Sequence, residues 1–245
     1  MIVLKRFLVT GASKGFGRIL TEKLLERGYM VVGVARSRDV LEELSKEYEN
    51  FEYIACDLTK LECIDKVYEH VSMDGIDVLI NNVGASVYGY LTDLDPEVIE
   101  YLTKVNFLTP TILTSKLVPL IRDNGVIVYV LTYAIYALML GLSIYVSTKT
   151  GLDKLADHVE EELRDRGRNI RIVRAYYSRM PTSFWEHPSF KDKKIDFKPV
   201  TDPEKAADKL IKCIQTPGCR KVYEPWWLGI VKPLLALRKP IIRIE

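Results

Sequence analysis

The sequence predicts an α/β protein built on a single doubly wound parallel sheet with helices on both faces. Short apolar runs alternate with segments of helical periodicity from one end of the chain to the other, as expected for successive strand–helix–strand units. The 245 residues, 48% of them hydrophobic, can bury one large core. No linker, repeat or low-complexity tract divides them, so we expect one domain over residues 1–245.

Each strand is predicted where a short apolar run lies between turn-forming residues, because a strand covered on both faces needs apolar side chains throughout. In chain order, these runs are residues 2–10, 30–35, 51–56, 77–81, 126–132, 170–175 and 221–223. Right-handed crossovers between the strands would place the intervening helices on both faces of the sheet.

The helices are predicted where apolar residues recur at helical spacing between those runs. They span residues 15–27, 40–48, 61–70, 97–122, 144–166 and 203–215. Gly28 favours termination of the first helix. The fourth helix has Pro96 at its first turn, and we expect Pro110 and Pro119 to kink or interrupt it, because proline has no N–H to donate.

Composition excludes several classes of protein. The 35 Lys and Arg residues nearly balance the 33 Asp and Glu residues, so a net charge of +2 offers no global field to recruit nucleic acid. No segment approaches the ~20 consecutive apolar residues of a membrane-spanning helix, and the apolar run at the start is too short for a signal peptide.

Neither the cysteines nor the three histidines have the spacing of metal ligands, so no metal site is predicted. Without a Cys-x-x-Cys pair, the cysteines are expected to be reduced thiols in a cytoplasmic protein. They are Cys56, Cys63, Cys213 and Cys219.

A glycine-rich turn over residues 10–17 joins the first predicted strand to the first predicted helix. Gly11 permits the tight turn, while Gly15 and Gly17 let the backbone and the helix approach a pyrophosphate and the sheet. Free N–H groups at the helix N-terminus favour phosphate. This context predicts a Rossmann-like dinucleotide site, with a turn that binds nothing as the alternative. The predicted contacts are Gly11, Ser13, Lys14, Gly15, Phe16 and Gly17.

The end of the second strand predicts NADP(H) rather than NAD(H). Sites for NAD usually place an acid there, against the ribose 2′-hydroxyl, whereas this chain has Arg36 and no acid until Asp39. A guanidinium can bind a 2′-phosphate in a bidentate manner, and Lys14 could add charge. Arg38 is a weaker candidate, and solvated residues at a helix start are the alternative.

The adenine is expected near Asp57 and Leu58, after the third strand. Asp57 can accept a hydrogen bond from the adenine amine. Its competing role is to cap the following helix, which Thr59 could also do.

Tyr145 and Lys149 lie one helical turn apart and therefore share a face near the start of the helix that follows the fifth strand. A phenol titrates near ~10, and an adjacent ammonium together with a cationic nicotinamide ring would lower that pKa. Such a tyrosine can exchange a proton with a carbonyl or alcohol oxygen during hydride transfer. An ordinary amphipathic pair is the alternative.

Together these features make the chain resemble the short-chain dehydrogenase/reductase family over about residues 3–182. The glycine turn at 10–17 is similar to the family's TGxxxGxG, and residues 81–84, Asn-Asn-Val-Gly, to its Asn-Asn-Ala-Gly. Asn106 corresponds to the family's helix asparagine. Tyr145 and Lys149 form its Tyr-x-x-x-Lys pair.

The resemblance implies a role for each matched residue. Tyr145 would be the general acid/base, and Lys149 would hold the nicotinamide ribose and lower the phenol pKa. Asn106 would hold a water that links Lys149 to solvent. Pairing through the helices at 97–122 and 144–166 would give a homodimer or homotetramer. The cofactor would be lined near its adenosine ribose by Asn82, Val83 and Gly84.

Two departures from the family pattern affect the expected site. Thr132 stands thirteen residues before the tyrosine, where the family has serine, and its methyl group crowds the substrate oxygen that its hydroxyl would orient. Tyr177 and Ser178 replace a Pro-Gly pair, so Tyr177 either contacts substrate or packs. Beyond them, the backbone of Met180 would meet the carboxamide, and Thr182 the carboxamide or the phosphates.

Two segments remain open in role. The aromatic loop at about 177–200 is either a lid or a packing flap. The apolar and basic tail at about 225–245 is expected to pack on a neighbouring subunit or to cover the pocket, in preference to lying on a membrane, because prolines shorten any helix there.

We therefore expect an NADP(H)-dependent oxidoreductase that interconverts a ketone or aldehyde with an alcohol. A non-catalytic sensor or scaffold that binds NADP(H) is the alternative that the two departures support. A reductase of lipids or sterols at a membrane surface would depend on the tail alone.

Overall fold

A computed structural model shows the fold, and it describes residues 5–193, 198–231 and 240–244. Within these residues the strands are β1 (Arg6–Thr10), β2 (Met30–Ala35), β3 (Phe51–Ala55), β4 (Ile76–Asn81), β5 (Ile121–Thr132), β6 (Leu138–Met139), β7 (Arg171–Tyr177), β8 (Lys221–Glu224) and β9 (Ile241–Ile242). The α-helices with both ends described are α1 (Gly15–Glu26), α2 (Arg38–Glu47), α3 (Leu61–Ser72), α4 (Pro96–Thr103), α5 (Thr109–Leu117), α6 (Ser143–Asp165) and α7 (Pro203–Gln215).

Seven of the described strands form one sheet in the order β3-β2-β1-β4-β5-β7-β8, and every neighbouring pair is parallel. The strand order reverses between β1 and β4, so the connections from these two strands leave in opposite directions. Their carboxyl ends border a crevice, which is where open α/β sheets bind ligands. The predicted fold class, a doubly wound parallel sheet with helices on both faces, is confirmed.

Apolar side chains alternate between two layers across this sheet. Along β1, Phe7 and Val9 pack with residues of α1, α2 and α7, whereas Leu8 packs with residues of α3, α5 and α6. All three side chains are almost fully buried, and burying one such side chain contributes roughly 1.5–3 kcal/mol. Burial on both faces explains why the strands appear in the sequence as continuous apolar runs.

The long helix predicted at 97–122 is interrupted and shorter. A π-helical segment, Lys104–Leu108, separates α4 from α5, and a 3₁₀ turn, Val118–Leu120, ends the helical stretch. The expected interruptions at Pro110 and Pro119 are confirmed, because neither residue can continue the backbone ladder. The extension to residue 122 was wrong, since β5 begins at Ile121 and pairs there with Ile76 of β4.

A second, two-stranded parallel sheet joins β6 to β9. It was not predicted, because the two segments lie about a hundred residues apart and each is only two residues long. The sheet ties the end of the described chain to the loop between β5 and α6. Parts of three predicted segments lie outside the described residues: residues 2–4 of the first strand, 194–197 of the aromatic loop, and 232–239 and 245 of the tail.

Both pairs of cysteines form disulfide bonds, so the prediction of reduced thiols was wrong. Cys56 follows β3 and is joined to Cys63 in the first turn of α3, with 5.6 Å between their Cα atoms. Cys213, near the end of α7, is joined to Cys219 before β8, with a Cα separation of 5.3 Å. Each disulfide closes a short loop, and the spacing of the cysteines in the sequence did not indicate either pairing. Cytoplasmic location remains a prediction, now without reduced thiols in its support.

Candidate active site

One cavity of about 1080 Å³ opens at the carboxyl ends of the parallel strands. The glycine turn and the ends of β2 and β4 border one half of it. The start of α6, the loop after β7 and the described tail border the other half. Its position matches the crevice expected where the strand order reverses.

The glycine turn has the backbone that a dinucleotide requires. Gly11 and Gly15 have φ angles of 74° and 56°, which side chains other than glycine rarely adopt. A Cβ atom on Gly17 would overlap the carbonyl oxygen of Gly11 and the amide of Asn82. Helix α1 begins at Gly15 and has no acidic residue in its first turn, so its first N–H groups remain suited to an anion.

Thr10 is a functional residue that sequence reasoning did not single out. Its hydroxyl donates to the carbonyl of Ile80 (3.1 Å) and accepts from the backbone N–H groups of Asn82 (2.9 Å) and Val83 (3.0 Å). The Asn82 side chain donates in return to the Thr10 carbonyl at 2.9 Å. These bonds join the ends of β1 and β4, and they hold Asn82, Val83 and Gly84 at the cavity wall. The position of Thr10 as the first residue of the TGxxxGxG motif could have identified it from the sequence.

The two candidate arginines, Arg36 and Arg38, lie at different places in the structure. Arg36 and Lys14 are exposed and border the main cavity. Arg38 borders a different, shallow depression together with Tyr53 and His70. The structure thus brings Arg36 and Lys14 to the cofactor side and leaves Arg38 away from it.

Asp57 and Leu58 border the cavity beside Arg36. Burial raises the pKa of Asp57, but hydrogen bonds from Thr59 and the charge of Arg36 outweigh it, so the pKa lies below its ordinary value. The Asp57 carboxylate accepts from the Thr59 N–H at 3.0 Å and from its hydroxyl at 2.9 Å. The capping alternative was wrong: α3 begins after Lys60, and among the described residues no side chain caps it.

Lys149 lies at the floor of the cavity and is only 4% exposed. Its ammonium group donates to the carbonyl of Val130 at 3.0 Å. A Cβ atom built on Gly84 would lie 3.5 Å from the Lys149 Nζ and 3.1 Å from the Asn106 Oδ1. Burial lowers the pKa of Lys149 to about 8, because a low-dielectric environment disfavours the ammonium.

Tyr145 is half-buried in the same cavity, one helical turn before Lys149. Burial raises the pKa of Tyr145 to about 12, and the hydrogen bond between its hydroxyl and Thr132 offsets this only in part. The lowering expected beside a bound nicotinamide cation stays a prediction. The ring also packs against Phe184, with 5.4 Å between the ring centroids.

Thr132 ends β5 and is nearly buried. Its Oγ1 accepts from the N–H of Ala134 at 3.2 Å, which fixes the start of the short 3₁₀ helix Tyr133–Tyr136. The same side chain meets the Tyr145 hydroxyl. The structure thus brings together Thr132, Tyr145 and Lys149 as the sequence motifs predict.

Asn106 is fully buried in the π-helical segment. Its side chain accepts from the N–H of Ala85 and donates to the carbonyl of Ala85, both at 2.9 Å. Both polar groups of the Asn106 side chain are thus engaged with Ala85, and the role of Asn106 in holding a water stays a prediction.

Tyr177 borders the cavity, but it is only 3% exposed and its ring and hydroxyl are engaged in packing. Its hydroxyl donates to the carbonyl of Ala206 at 3.4 Å, and its ring meets the edge of Phe16 with centroids 5.1 Å apart. The Tyr177 ring, which stands where the family has Pro-Gly, therefore supports the glycine turn through its contact with Phe16. Ser178 donates its N–H to the hydroxyl of Thr201 at 3.0 Å, which anchors the loop that follows β7.

Met180 and Thr182 both border the cavity. The Met180 carbonyl accepts from the Trp185 indole and from the Thr182 N–H, both at 2.9 Å. A Cβ atom built on Gly15 would lie 3.4 Å from the Thr182 Cβ. Of the two partners expected for Thr182, this position favours the phosphates.

The family model for short chain dehydrogenases matches residues 5–187. The chain belongs to the short-chain dehydrogenase family. Family membership classes it as an oxidoreductase that depends on a nicotinamide dinucleotide, which agrees with the dinucleotide crevice and the Tyr145–Lys149 pair described above.

Curated relatives of this short-chain dehydrogenase include the very-long-chain 3-oxoacyl-CoA reductase of Bos taurus, 32% identical over 201 residues. That match covers 74% of this chain and 64% of the relative, so the chain spans under two thirds of its length. The fatty acyl-CoA reductase of Acinetobacter baylyi is 28% identical over 218 residues, which are 84% of this chain and 72% of the relative.

Two solved structures share the fold of this short-chain dehydrogenase over nearly its whole length. A short-chain dehydrogenase from Streptomyces avermitilis is 26% identical, with a TM-score of 0.78, and the match covers 97% of this chain and 95% of that one. One from Sphingobium yanoikuyae, solved in complex with NADPH, is 24% identical, with a TM-score of 0.81 and coverage of 96% and 95%. The second likeness shows the fold alone.

The described part of this short-chain dehydrogenase was also compared with the requirements of a metal site and of a membrane-spanning helix. Within residues 5–193, 198–231 and 240–244, no group of three or more His, Cys, Asp or Glu side chains could hold a metal ion. In the same residues, none of the helices has the length and apolar character needed to cross a bilayer.

Proposed function

We propose that the protein interconverts a ketone or aldehyde with an alcohol, with NADP(H) as the hydride carrier and Tyr145 as the general acid/base. One observation carries the proposal. The Tyr145 hydroxyl, hydrogen-bonded to Thr132, shares a single cavity with the glycine turn and the buried Lys149. A proton donor and a dinucleotide cradle thus face the same space.

The residues of the cradle fit a dinucleotide because Gly17, where a Cβ atom has no room, lets the start of α1 pack closely against Gly11 and Asn82 at the edge of the cavity. The N-terminus of α1 and Thr182 would hold the pyrophosphate. Arg36 and Lys14 support a preference for NADP(H), since both are exposed and border the cavity. When bound, the reduced nicotinamide supplies the hydride.

Tyr145 performs the proton transfer in this proposal. With a pKa of about 12 the phenol is protonated at neutral pH, which is the form that donates to a carbonyl oxygen as hydride reaches the carbonyl carbon. Thr132 orients that oxygen. The Lys149 ammonium stabilises the phenolate that results, and Asn106 would hold the water that returns the proton.

The substrate is proposed to carry a long acyl chain. The two relatives described above are named for reductions of acyl-CoA compounds. The substrate half of the cavity agrees with an apolar chain, since aromatic and aliphatic side chains form much of its wall. These are Tyr133, Tyr136, Met139, Leu142, Phe184, Trp227, Leu228 and Val231.

Oxidation of NADPH in the presence of straight-chain aldehydes and ketones tests the proposal. Tyr145→Phe is expected to lower kcat by roughly 10²- to 10⁴-fold while NADPH binding, followed by nucleotide fluorescence, stays within about twofold. Retained turnover in this variant would remove Tyr145 from the role of acid. Tight NADPH binding without turnover of any carbonyl compound would instead favour the non-catalytic sensor.

A further inference from the structure

The described part of the tail returns across the substrate half of the cavity. Strand β9 pairs with β6, where Leu138 donates to the Pro240 carbonyl at 2.8 Å and Leu140 to the Ile242 carbonyl at 3.0 Å. The Tyr88 hydroxyl also donates to the carbonyl of Ile244 at 3.2 Å. The tail is thereby joined to two loops that border the site.

An inner anchor ties the tail to the catalytic strand. The Tyr133 hydroxyl donates to the Leu228 carbonyl at 2.7 Å, and Tyr133 directly follows Thr132. Leu228 is 1% exposed and packs within the buried layer that includes Tyr133. The segment at residues 227–231 is therefore held at a defined position beside the residue that would orient the substrate oxygen.

This segment has one face toward the cavity and one toward solvent. Trp227, Leu228 and Val231 border the cavity, and their spacing places them on one side of a helical turn. Trp226 and Ile230, one turn apart on the other side, are each 65% exposed. The two faces thus provide adjacent positions with opposite environments.

We infer that the cavity face at residues 227–231 is the wall that binds the acyl chain and limits its length. This inference depends on the proposed function. Tyr133 and Tyr136, whose rings meet edge to face at 5.1 Å, lie between the catalytic strand and that wall. A chain that extends from a carbonyl at Thr132 along these rings reaches Leu228 and then Val231.

Chain length should therefore control turnover. Each methylene that leaves water for this wall is expected to raise kcat/KM by roughly fourfold. The gain ends when the chain meets the side chain of Val231. A larger side chain at that position shortens the accepted chain, and a smaller one lengthens it.

Val231→Trp and Val231→Ala test this wall with butanal, octanal and dodecanal as substrates and NADPH as reductant. In the wild type kcat/KM should rise along the series. Val231→Trp should lower kcat/KM for dodecanal by at least roughly tenfold and leave butanal within about twofold, given the space that an indole occupies. Val231→Ala should shift the preference toward dodecanal without overpacking the site.

Ile230→Trp is the matched control, because it adds the same side chain to the exposed face of the same turn. Its chain-length profile should equal that of the wild type. Equal profiles for Val231→Trp and Ile230→Trp, or a wild type that reduces butanal and dodecanal with the same kcat/KM, would overturn the inference.

Calorimetric titration of dodecanol into the NADP⁺-loaded protein separates this inference from the proposed function. If the wild type reduces no aldehyde but binds dodecanol at least tenfold more tightly than Val231→Trp, the proposed function fails and the wall stands. Equal dodecanol affinities of these two proteins would refute the wall even if aldehydes are reduced.

Discussion

Lys149 is both a proposed catalytic residue and a source of instability, so Lys149→Met should make the folded protein more stable. In the unfolded chain this amine has its ordinary pKa of 10.5, and burial lowers the pKa to about 8 in the folded protein. Each tenfold change in proton affinity corresponds to about 1.4 kcal/mol. The charged form of Lys149 therefore destabilises the fold by roughly 3 kcal/mol at pH 7.

The destabilisation caused by Lys149 must decrease as the pH rises. Below pH 8 both states hold the proton and the full cost is present. Between about pH 8 and 10.5 the unfolded chain holds the proton and the folded protein releases it, so wild-type stability rises across this window. Methionine has no such proton, and it also leaves the Val130 carbonyl unpaired, at a cost of about 1–3 kcal/mol.

Urea unfolding of wild type and Lys149→Met at pH 7, 8, 9 and 10 measures this term. The stability of the variant minus that of the wild type should fall by roughly 2–3 kcal/mol between pH 7 and pH 10, whatever constant offset the unpaired carbonyl adds. Parallel pH profiles of the two proteins would refute the assignment of a lowered pKa to Lys149. Turnover should be lost in the variant at every pH.

Two further predictions concern the cofactor and the disulfides. Arg36→Asp should raise the Kd for NADPH by at least roughly tenfold, because it removes a charge-assisted hydrogen bond worth about 1.5–3 kcal/mol, and it should leave the Kd for NADH within about twofold. Arg38→Asp is the control, because Arg38 lies outside the main cavity. Equal losses of affinity for both nucleotides in Arg36→Asp would contradict the 2′-phosphate role. Replacing Cys56 and Cys63 together by serine should lower the free energy of unfolding by roughly 2–3 kcal/mol, because the unfolded chain regains the conformational entropy that closing this short loop removes. Urea unfolding measures the change, and unchanged stability in the double variant would show that the disulfide contributes nothing.

Much of the site is encoded in local sequence. Gly11, Gly15 and Gly17 follow a strand and open a helix, and the structure gives two of them the positive φ angles that only glycine adopts readily. Tyr145 and Lys149 share a helix face because of the helical repeat alone. The alternation of apolar runs with helical segments likewise indicated the parallel sheet, since each pattern is set by the element's own periodicity.

Errors arose where residues close in sequence pair without a recognisable pattern, or where a competing local structure forms. The two disulfides join positions without a recognisable spacing. Asp57 was considered as a helix cap, but its carboxylate instead accepts from Thr59 in a local turn.

The sequence by itself determined the order along the chain of the strands in the main sheet, the glycine turn, the Tyr145–Lys149 pair and the family, because these depend on residues close together in the chain. The tertiary structure alone decided that Tyr177 packs beneath the turn, that Arg36 rather than Arg38 borders the cofactor half of the cavity, and that residues 227–231 border the substrate half. These outcomes require contacts between segments far apart in sequence, and such contacts follow from the packing of the whole chain.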